Sequence, residues 1–337
     1  MKSINLKDAF QVELVEKEIP RPKEGEALIK VKSVGICGSD IGAFRGTNPL
    51  VTYPRTIGHE IAGEVVTIGE NKKGIKQGNK VILDPYLYCS KCYPCSLGRT
   101  NCCEDLQVLG VHCEGGMAEY ICHPADMLVK VPEDMEWDVV PLAEPLTIAL
   151  HGLHRARLTK GEHIVIIGAG TIGLLAAMTA IYYGAIPIMI DVVDERLRKA
   201  KELGIHLTIN SAKENAQKKV IDYTDGRKAE VVMEASGANP AVLMTLDLVA
   251  NAGRIILTGW PKAATLFPTD LITKKEVDIM GARTSAGEFD EAIDIIYKNK
   301  VNARGILTKT VTIDEAVEVI KDIEKNPGNY LKVNVIV

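Results

Sequence analysis

Two textures of hydrophobic patterning divide this chain. Up to about residue 143, short β-like runs are broken by Gly and Pro, so that residues 27–34, 61–68 and 80–84 predict strands, with turns across 69–78. The lysines within 71–80 read as a solvated hairpin or loop rather than a binding patch. Past Pro145, strand and helix signals alternate. Residues 146–157 predict a helix, 163–168 a continuous apolar strand, 171–183 a helix, 186–191 a second buried strand and 195–203 a helix ended by Gly204. Strand signals at 230–235 and 254–259 flank a helical stretch at 240–249. That order predicts an α/β fold built on a doubly wound parallel sheet. From 289 on, helices are predicted at 289–299 and 313–326, with a closing strand at 332–337.

Composition narrows the class. A chain of 337 residues is long enough for two domains, each with its own core. A charged fraction of 25% and a formal net charge of -4 point to neither nucleic acid nor an anionic membrane as partner. The first ten residues are too polar for a signal-peptide core, and no apolar run approaches the roughly 20 residues of a membrane helix. A cytoplasmic protein is the expectation. In a chain of this size without an export signal, eight cysteines argue for thiol chemistry rather than disulfides.

Cys89, Cys92 and Cys95 are spaced three residues apart, and Cys103 follows eight later. Thiolates at that spacing can close around one tetrahedral zinc ion, leaving no open position, which is a structural role. Cys102 beside Cys103 leaves open which of the two is the ligand. Cys113 and Cys122 read as small packing residues.

The run Gly168-Ala169-Gly170-Thr171-Ile172-Gly173 follows an apolar strand, opens a helix, and is followed by Asp191 at the end of the next strand. Gly168 permits the tight turn, Gly170 lets a pyrophosphate approach the backbone, and Gly173 lets helix and strand pack closely. The amides of Thr171 and Ile172, at the helix start, face the phosphates. Asp191 would accept hydrogen bonds from the adenosine ribose and disfavour a 2′-phosphate, which selects NAD over NADP. Arg196 either stacks on adenine or lies in solvent. Ala235-Ser236 and Thr258-Gly259 end strands at the carboxyl edge, where nucleotides bind. Trp260 stands near the nicotinamide or caps the core.

Cys37, His59, Glu60 and Glu144 together offer a thiolate, an imidazole and two carboxylates, a set suited to a zinc ion with an open position. A zinc there lowers the pKa of an alcohol oxygen, and hydride can then leave to a nicotinamide. Ser39 is placed to touch the same oxygen and relay its proton. His151 and His154 lack a third partner nearby in sequence and read as structural. His112 and Glu114 either reach the site or brace the segment leaving the cysteine lobe.

These motifs carry a resemblance. With Gly35-Ile36-Cys37-Gly38-Ser39-Asp40, Gly58-His59-Glu60, the four-cysteine lobe, Ala143-Glu144-Pro145 and the Gly168 to Gly173 turn, the whole chain resembles the zinc-dependent medium-chain alcohol dehydrogenases. The resemblance implies a GroES-like catalytic domain over 1–145 and 285–337, and a Rossmann NAD-binding domain over 146–284. It also implies two zinc ions per chain, NAD, a small-molecule alcohol substrate, and a homodimer or homotetramer. Glu144 stands where other branches place a second cysteine ligand, which is the pattern of the polyol and sorbitol-like branch. There, either Glu60 or Glu144 completes the zinc sphere, and the two exchange during turnover.

Residues 53–60, 98–103 and 108–112 are most similar to bacterial L-galactonate and L-gulonate 5-dehydrogenases, implying a linear sugar acid oxidised at a secondary alcohol. A carboxylate substrate wants a cation, for which Arg45 and Arg283 are the candidates. Threonine 3-dehydrogenases and polyol-phosphate dehydrogenases share the same motifs and are the alternatives. One position departs from the family: Gly42 replaces a His that often ends the proton relay, so the relay would end at water or Glu60. That departure is also the one support for a different class, a non-catalytic NAD-binding regulator, and the intact metal set argues against it.

Overall fold

Alternation governs the first half of strand Glu26–Ile36, where buried Ala27, Ile29 and Val31 take turns with Leu28, Lys30 and Lys32. From Ser33 to Ile36 every residue is buried, so here the alternation gives way to a stretch covered on both faces. It is the spine of a seven-stranded sheet in this computed structural model, which describes residues 1–261 and 263–337. Along the sheet the order is Leu128–Lys130, Lys80–Leu83, Glu60–Ile68, Glu26–Ile36, Lys332–Ile336 and Leu307–Thr312. Tyr120–Pro124 pairs with the first half of the spine, and Lys332–Ile336 with the second. The closing strand is therefore internal to the sheet, with one strand beyond it.

The chain divides into two compact units, one of residues Met1–Glu144, Phe289–Tyr297 and Ala303–Val337, the other of Pro145–Glu288 and Lys298–Asn302. In the first unit, a small sheet orders Gln11–Glu16, Lys2–Asp8 and Arg55–Thr56, and the pair Tyr86–Leu87 with Gln107–Val108 brackets the cysteine lobe. The second unit holds six strands, all parallel, in the order Leu207–Asn210, Ile186–Asp191, His163–Ile167, Ala229–Glu234, Val249–Leu257 and Asp278–Gly281. Numbered along the chain this is 3-2-1-4-5-6, the doubly wound arrangement with its switch point beside the first strand. Residues such as Val165, Ile188, Val232 and Ile255 fill the layer between sheet and helices, each worth about 1.5–3 kcal/mol of burial. No helix among the described residues is long and apolar enough to cross a membrane.

Three expectations need correction. The helix Gly38–Phe44 was not anticipated, since seven residues are too few to show a period. The strand expected at 254–259 begins at Val249, straight after helix Asn239–Leu248. Its first part, Ala250-Asn251-Ala252, lacks β-branched residues, and the register with Ala229–Glu234 slips there. Finally, Lys80 is not solvated. It is buried, its Nζ donates to the carbonyls of Glu133 and Met135, and it sits 3.9 Å above the Trp137 ring. Lys72, Lys73 and Lys76 are exposed, as the loop reading expects.

His123, on strand Tyr120–Pro124, is fully buried and its Nε2–H donates to the Asp84 carbonyl at 2.9 Å. Burial holds its pKa down at about 4. Between that value and roughly 6.5, its unfolded pKa, the unfolded chain binds the extra proton, so stability falls as pH drops through this window, by about 3 kcal/mol. His123→Gln is expected to flatten that part of the curve of urea midpoint against pH. An unchanged acid slope contradicts this account.

Candidate functional site

Three segments of the first unit converge where strand Glu26–Ile36 ends at Cys37, helix Gly38–Phe44 begins, and Gly58-His59 lead into strand Glu60–Ile68. Asp40 fixes the arrangement. Its Oδ2 accepts from the Cys37 N–H at 2.8 Å, its Oδ1 from the Gly58 N–H at 3.1 Å, and Oδ1 lies 3.9 Å from His59 Nδ1. One buried carboxylate thus staples the cysteine turn to the histidine loop. As a result, ligand atoms of Cys37, His59 and Glu60 all lie within 4.8 Å of one another. Glu144 is not part of that group. It sits in the first turn of helix Ala143–Arg155, fully buried, and accepts a hydrogen bond from the Tyr86 hydroxyl.

Glu60 is held by its neighbours. It pairs across the sheet with Gly35, where an added Cβ would stand 1.8 Å from Glu60 Oε2, so only glycine lets the carboxylate fold over the strand. Its Oε1 accepts from Lys332 Nζ at 2.5 Å, and Lys332 also donates to the Ile36 carbonyl at 3.2 Å. Burial works against the Lys332 charge, but Glu60 and Cys37 outweigh it and raise the ammonium above its ordinary value. Burial likewise opposes a charged His59, yet Cys37, Asp40 and Glu144 hold that imidazole well above its ordinary value. Burial pushes Glu144 up to about 7, with the Glu60 charge adding to it and His59 opposing.

Such crowding of thiol and carboxyl groups suits a divalent cation, which would displace the protons these groups hold. His59 Nδ1 and Glu60 Oε2 are buried with no hydrogen-bond partner among the described residues. One sulfur, one nitrogen and one oxygen donor fit zinc with a position left open. Ser39 Oγ, two residues beyond Cys37, is also buried without a partner, so it can engage a substrate hydroxyl. At Gly42 an added Cβ would meet only Thr47 Oγ1 and Asn48 Cβ at 3.8 Å; space does not demand glycine there.

The cysteine lobe gathers a second donor set. Ligand atoms of Cys89, Cys92, Cys95 and Cys103 lie within 4.8 Å of one another. Cys92 and Cys103 sulfurs are 3.9 Å apart, close to the edge of about 3.8 Å that a tetrahedron of bonds of about 2.3 Å requires. Cys103, not Cys102, turns its sulfur into the group. Backbone N–H groups of Lys91 and Cys92 draw the Cys89 thiol down to about 7, while burial and the neighbouring thiols push Cys95 up to about 12. Among the described residues, Tyr86, Cys103 and Leu106 form the buried apolar cluster here, with Val108 and three of the cysteines packed against it. That is too small a core to order the lobe, so a metal cage must do it.

In the second unit, Gly168 turns at φ +109°, with an added Cβ only 3.1 Å from the Ser236 amide nitrogen. At Gly173 a Cβ would stand 1.9 Å from the Gly168 carbonyl oxygen. Both positions are closed to any side chain. Gly170, by contrast, has nothing within 4 Å of such an atom, leaving its backbone open at the start of helix Thr171–Tyr182, whose first residues are Thr171 and Ile172. The Asp191 carboxylate accepts from Ala169 N at 2.7 Å, Val192 N at 2.8 Å and Val193 N at 2.9 Å. Three of about four acceptor positions are therefore occupied by the backbone. Asp191 clamps the glycine turn from the end of its strand. Arg196 is half-buried on helix Asp194–Glu202.

Glu234 was missed from sequence, although an acid closing an apolar strand is a visible signal. It is fully buried, and it accepts from the Ser236 N–H at 2.8 Å and hydroxyl at 2.5 Å. Its carbonyl accepts from Thr258 N at 2.9 Å and Gly259 N at 3.0 Å. One residue thus sets both loops assigned to the cofactor, while the Ala235 N–H donates to the Ile167 carbonyl.

Other candidates find different roles. Trp260 is 72% exposed and does not cap the core; the Arg283 guanidinium lies 5.9 Å over its ring. Arg45 Nε donates to Glu324, which offsets its charge. His112 Nδ1 accepts from the Val108 N–H and braces its own segment, whereas Glu114 accepts from Lys17 and Thr56 and ties that segment to distant parts of the unit. His151 and His154 do have a third partner, Glu288, at 2.8 and 3.6 Å. Burial disfavours that carboxylate, but hydrogen bonds from both histidines outweigh it and hold Glu288 down at about 2.

Comparison with known proteins places this geometry. Residues 23–133 match the family model of the alcohol dehydrogenase GroES-like domain, and 171–298 that of the zinc-binding dehydrogenases. An uncharacterized zinc-type alcohol dehydrogenase-like protein of Haemophilus influenzae is 56% identical over 326 residues, covering 96% of this chain and 95% of that protein. The L-galactonate-5-dehydrogenase of Escherichia coli is 38% identical over 81% of this chain and 80% of its own length. The solved structure of the Escherichia coli alcohol dehydrogenase RspB with NADH superposes with a TM-score of 0.93 at 34% identity, covering 100% of this chain and 99% of that one.

The two donor sets predict two zinc ions per purified chain, measured by plasma emission. Cys103→Ser is expected to remove one ion and open residues 89–103 to protease, whereas Cys102→Ser keeps both. Gly35→Ala, by displacing Glu60, is expected to weaken the other ion roughly 10- to 100-fold. Loss of the lobe metal in Cys102→Ser instead would overturn the ligand assignment.

Proposed function

Because the chain belongs to the zinc-type medium-chain alcohol dehydrogenases, we propose that it oxidises a secondary alcohol of a linear sugar acid, or of a related polyol, with NAD as hydride acceptor. The observation that carries this reading is the convergence of Cys37, His59 and Glu60 in a buried pocket of unmet donors. When bound, zinc supplies a Lewis acid that lowers the pKa of an alcohol, and NAD supplies the hydride acceptor.

The chain's own residues do the rest. Cys37, His59 and Glu60 would hold the ion, with Asp40 setting the first two and Lys332 the third. Glu144 stands by as the alternative carboxylate, steadied by Tyr86. Ser39 Oγ would take the alcohol's proton as it passes its own hydroxyl proton on to water or Glu60, since Gly42 offers no side chain to receive it. The Gly168 to Gly173 turn would seat the pyrophosphate, and a 2′-phosphate would meet the Asp191 carboxylate. The sugar-acid class is supported by likeness to the L-galactonate-5-dehydrogenase. Arg45 is a weaker partner for a substrate carboxylate than it looked in sequence, because Glu324 already engages it.

The test is NAD reduction against L-galactonate, L-gulonate, polyols, polyol phosphates and L-threonine, with and without a zinc chelator. Chelator-sensitive turnover of one aldonate, and at least tenfold less activity with NADP, is expected. Preference for threonine or a polyol phosphate would overturn the substrate class, and no turnover of any would overturn the reading. Ser39→Ala is expected to cut kcat roughly 10²-fold or more while leaving two zinc ions bound; an unchanged kcat contradicts the relay.

A further inference from the structure

Tyr86 belongs to two sites at once. Its ring is one of three buried residues in the apolar cluster of the cysteine lobe, beside Cys103 and Leu106, with Cys89, Cys92 and Cys95 packed against them. Its hydroxyl leaves that cluster and donates to Glu144 Oε1. The backbone here is tightly defined: Tyr86 pairs across strands with Val108, its N–H donates to Asp84 Oδ1 at 3.1 Å, and Leu109 N–H donates to the Pro85 carbonyl at 3.1 Å. Tyr86 is 4% exposed and Glu144 fully buried, so little solvent competes with the contact.

We infer that Tyr86 ties the four-cysteine lobe to the catalytic centre, so that a metal in the lobe positions the Glu144 carboxylate. With so small an apolar cluster, the ring's position follows that of the sulfurs around it, and the sulfurs are ordered by the ion they would share. A buried tyrosine hydroxyl bonded to a buried carboxylate is directional, and a displacement of the ring is passed to Glu144. The turn Val140–Leu142, directly before helix Ala143–Arg155 and Glu144, packs against strands Glu26–Ile36 and Glu60–Ile68, so Glu144 enters beside the strands that carry Cys37 and Glu60. The lobe, which touches no substrate, would thereby bear on the chemistry. Tyr86 is a positioning residue, and the inference rests on the reading of Cys37, His59 and Glu60 as a metal centre.

The test uses the full chain with cobalt at the Cys37 centre and zinc in the lobe, read by the visible absorption bands of the cobalt. Two changes are made singly and together: Tyr86→Phe, which removes one hydroxyl and keeps the ring, and Cys95→Ser, which removes a lobe ligand. Tyr86→Phe is expected to shift the cobalt bands with both metals still bound, and to lower kcat about tenfold, the worth of one hydrogen bond to a charged group, with KM for NAD unchanged. Cys95→Ser is expected to shift the same bands when Tyr86 is present and to add nothing once it is Phe. Cobalt bands that Tyr86→Phe leaves unmoved, or that respond to Cys95→Ser equally in both backgrounds, would overturn the tie. A chain that takes up no cobalt at Cys37 would instead overturn the metal centre itself, and the inference with it. Should Cys95→Ser fail to fold, Leu106→Ala, which loosens the same cluster and removes no ligand, takes its place under the same two outcomes.

Discussion

Lys332 and Glu60 face each other 2.5 Å apart, 3% and 1% exposed, and much of the first unit is arranged around that contact. Two charges removed from water are costly unless each finds a close partner, and stripping away one partner typically costs about 3–5 kcal/mol. The carboxylate is therefore fixed only while the lysine is present. This gives a physical reason for strand Lys332–Ile336 to be paired on both edges. Strand Lys332–Ile336 sits between Glu26–Ile36 and Leu307–Thr312, and its first residue delivers the ammonium to Glu60 and the Ile36 carbonyl.

Around that pair the donors are placed by small devices rather than by the bulk of the core. Gly35 gives up its side chain so that Glu60 can lie over the backbone. Asp40 gathers the N–H groups of Cys37 and Gly58. Each device leaves an atom unmet, His59 Nδ1, Glu60 Oε2 or Ser39 Oγ, in a place where burial makes an unmet polar atom expensive. A site that concentrates such donors and leaves them short of partners is suited to a cation. The same logic recurs in the lobe, where four sulfurs stand in for a core. In the nucleotide unit the backbone takes the part of the side chains, and Asp191 and Glu234 hold its turns from beneath.

What was legible in the sequence is what lies within a few residues of itself. The spacing of Cys89, Cys92 and Cys95, the glycines from 168 to 173 and the alternating strands are local patterns, and they were readable as such. The partners that arrange the site are not local. Lys332 meets Glu60 from 272 residues away, and Tyr86 meets Glu144 across 58. Glu288 joins His151 across 137, which is why those histidines looked partnerless. Only the fold brings such pairs together, and a lysine or a tyrosine in an apolar strand gives no sign of whom it will meet. Short elements escaped for a different reason: Gly38–Phe44 has too few turns for a period, though it carries the Cys37 loop.

X-ray absorption at the zinc edge of the intact chain tests most directly the claim that two distinct donor sets each bind zinc. With five thiolates serving two ions, one from Cys37 and four from the lobe, the average shell is expected to hold two to three sulfurs, at about 2.3 Å, with nitrogen and oxygen at about 2.0–2.2 Å completing four ligands. A single zinc per chain in a shell of four sulfurs would mean that Cys37, His59 and Glu60 hold no metal, and would contradict the account.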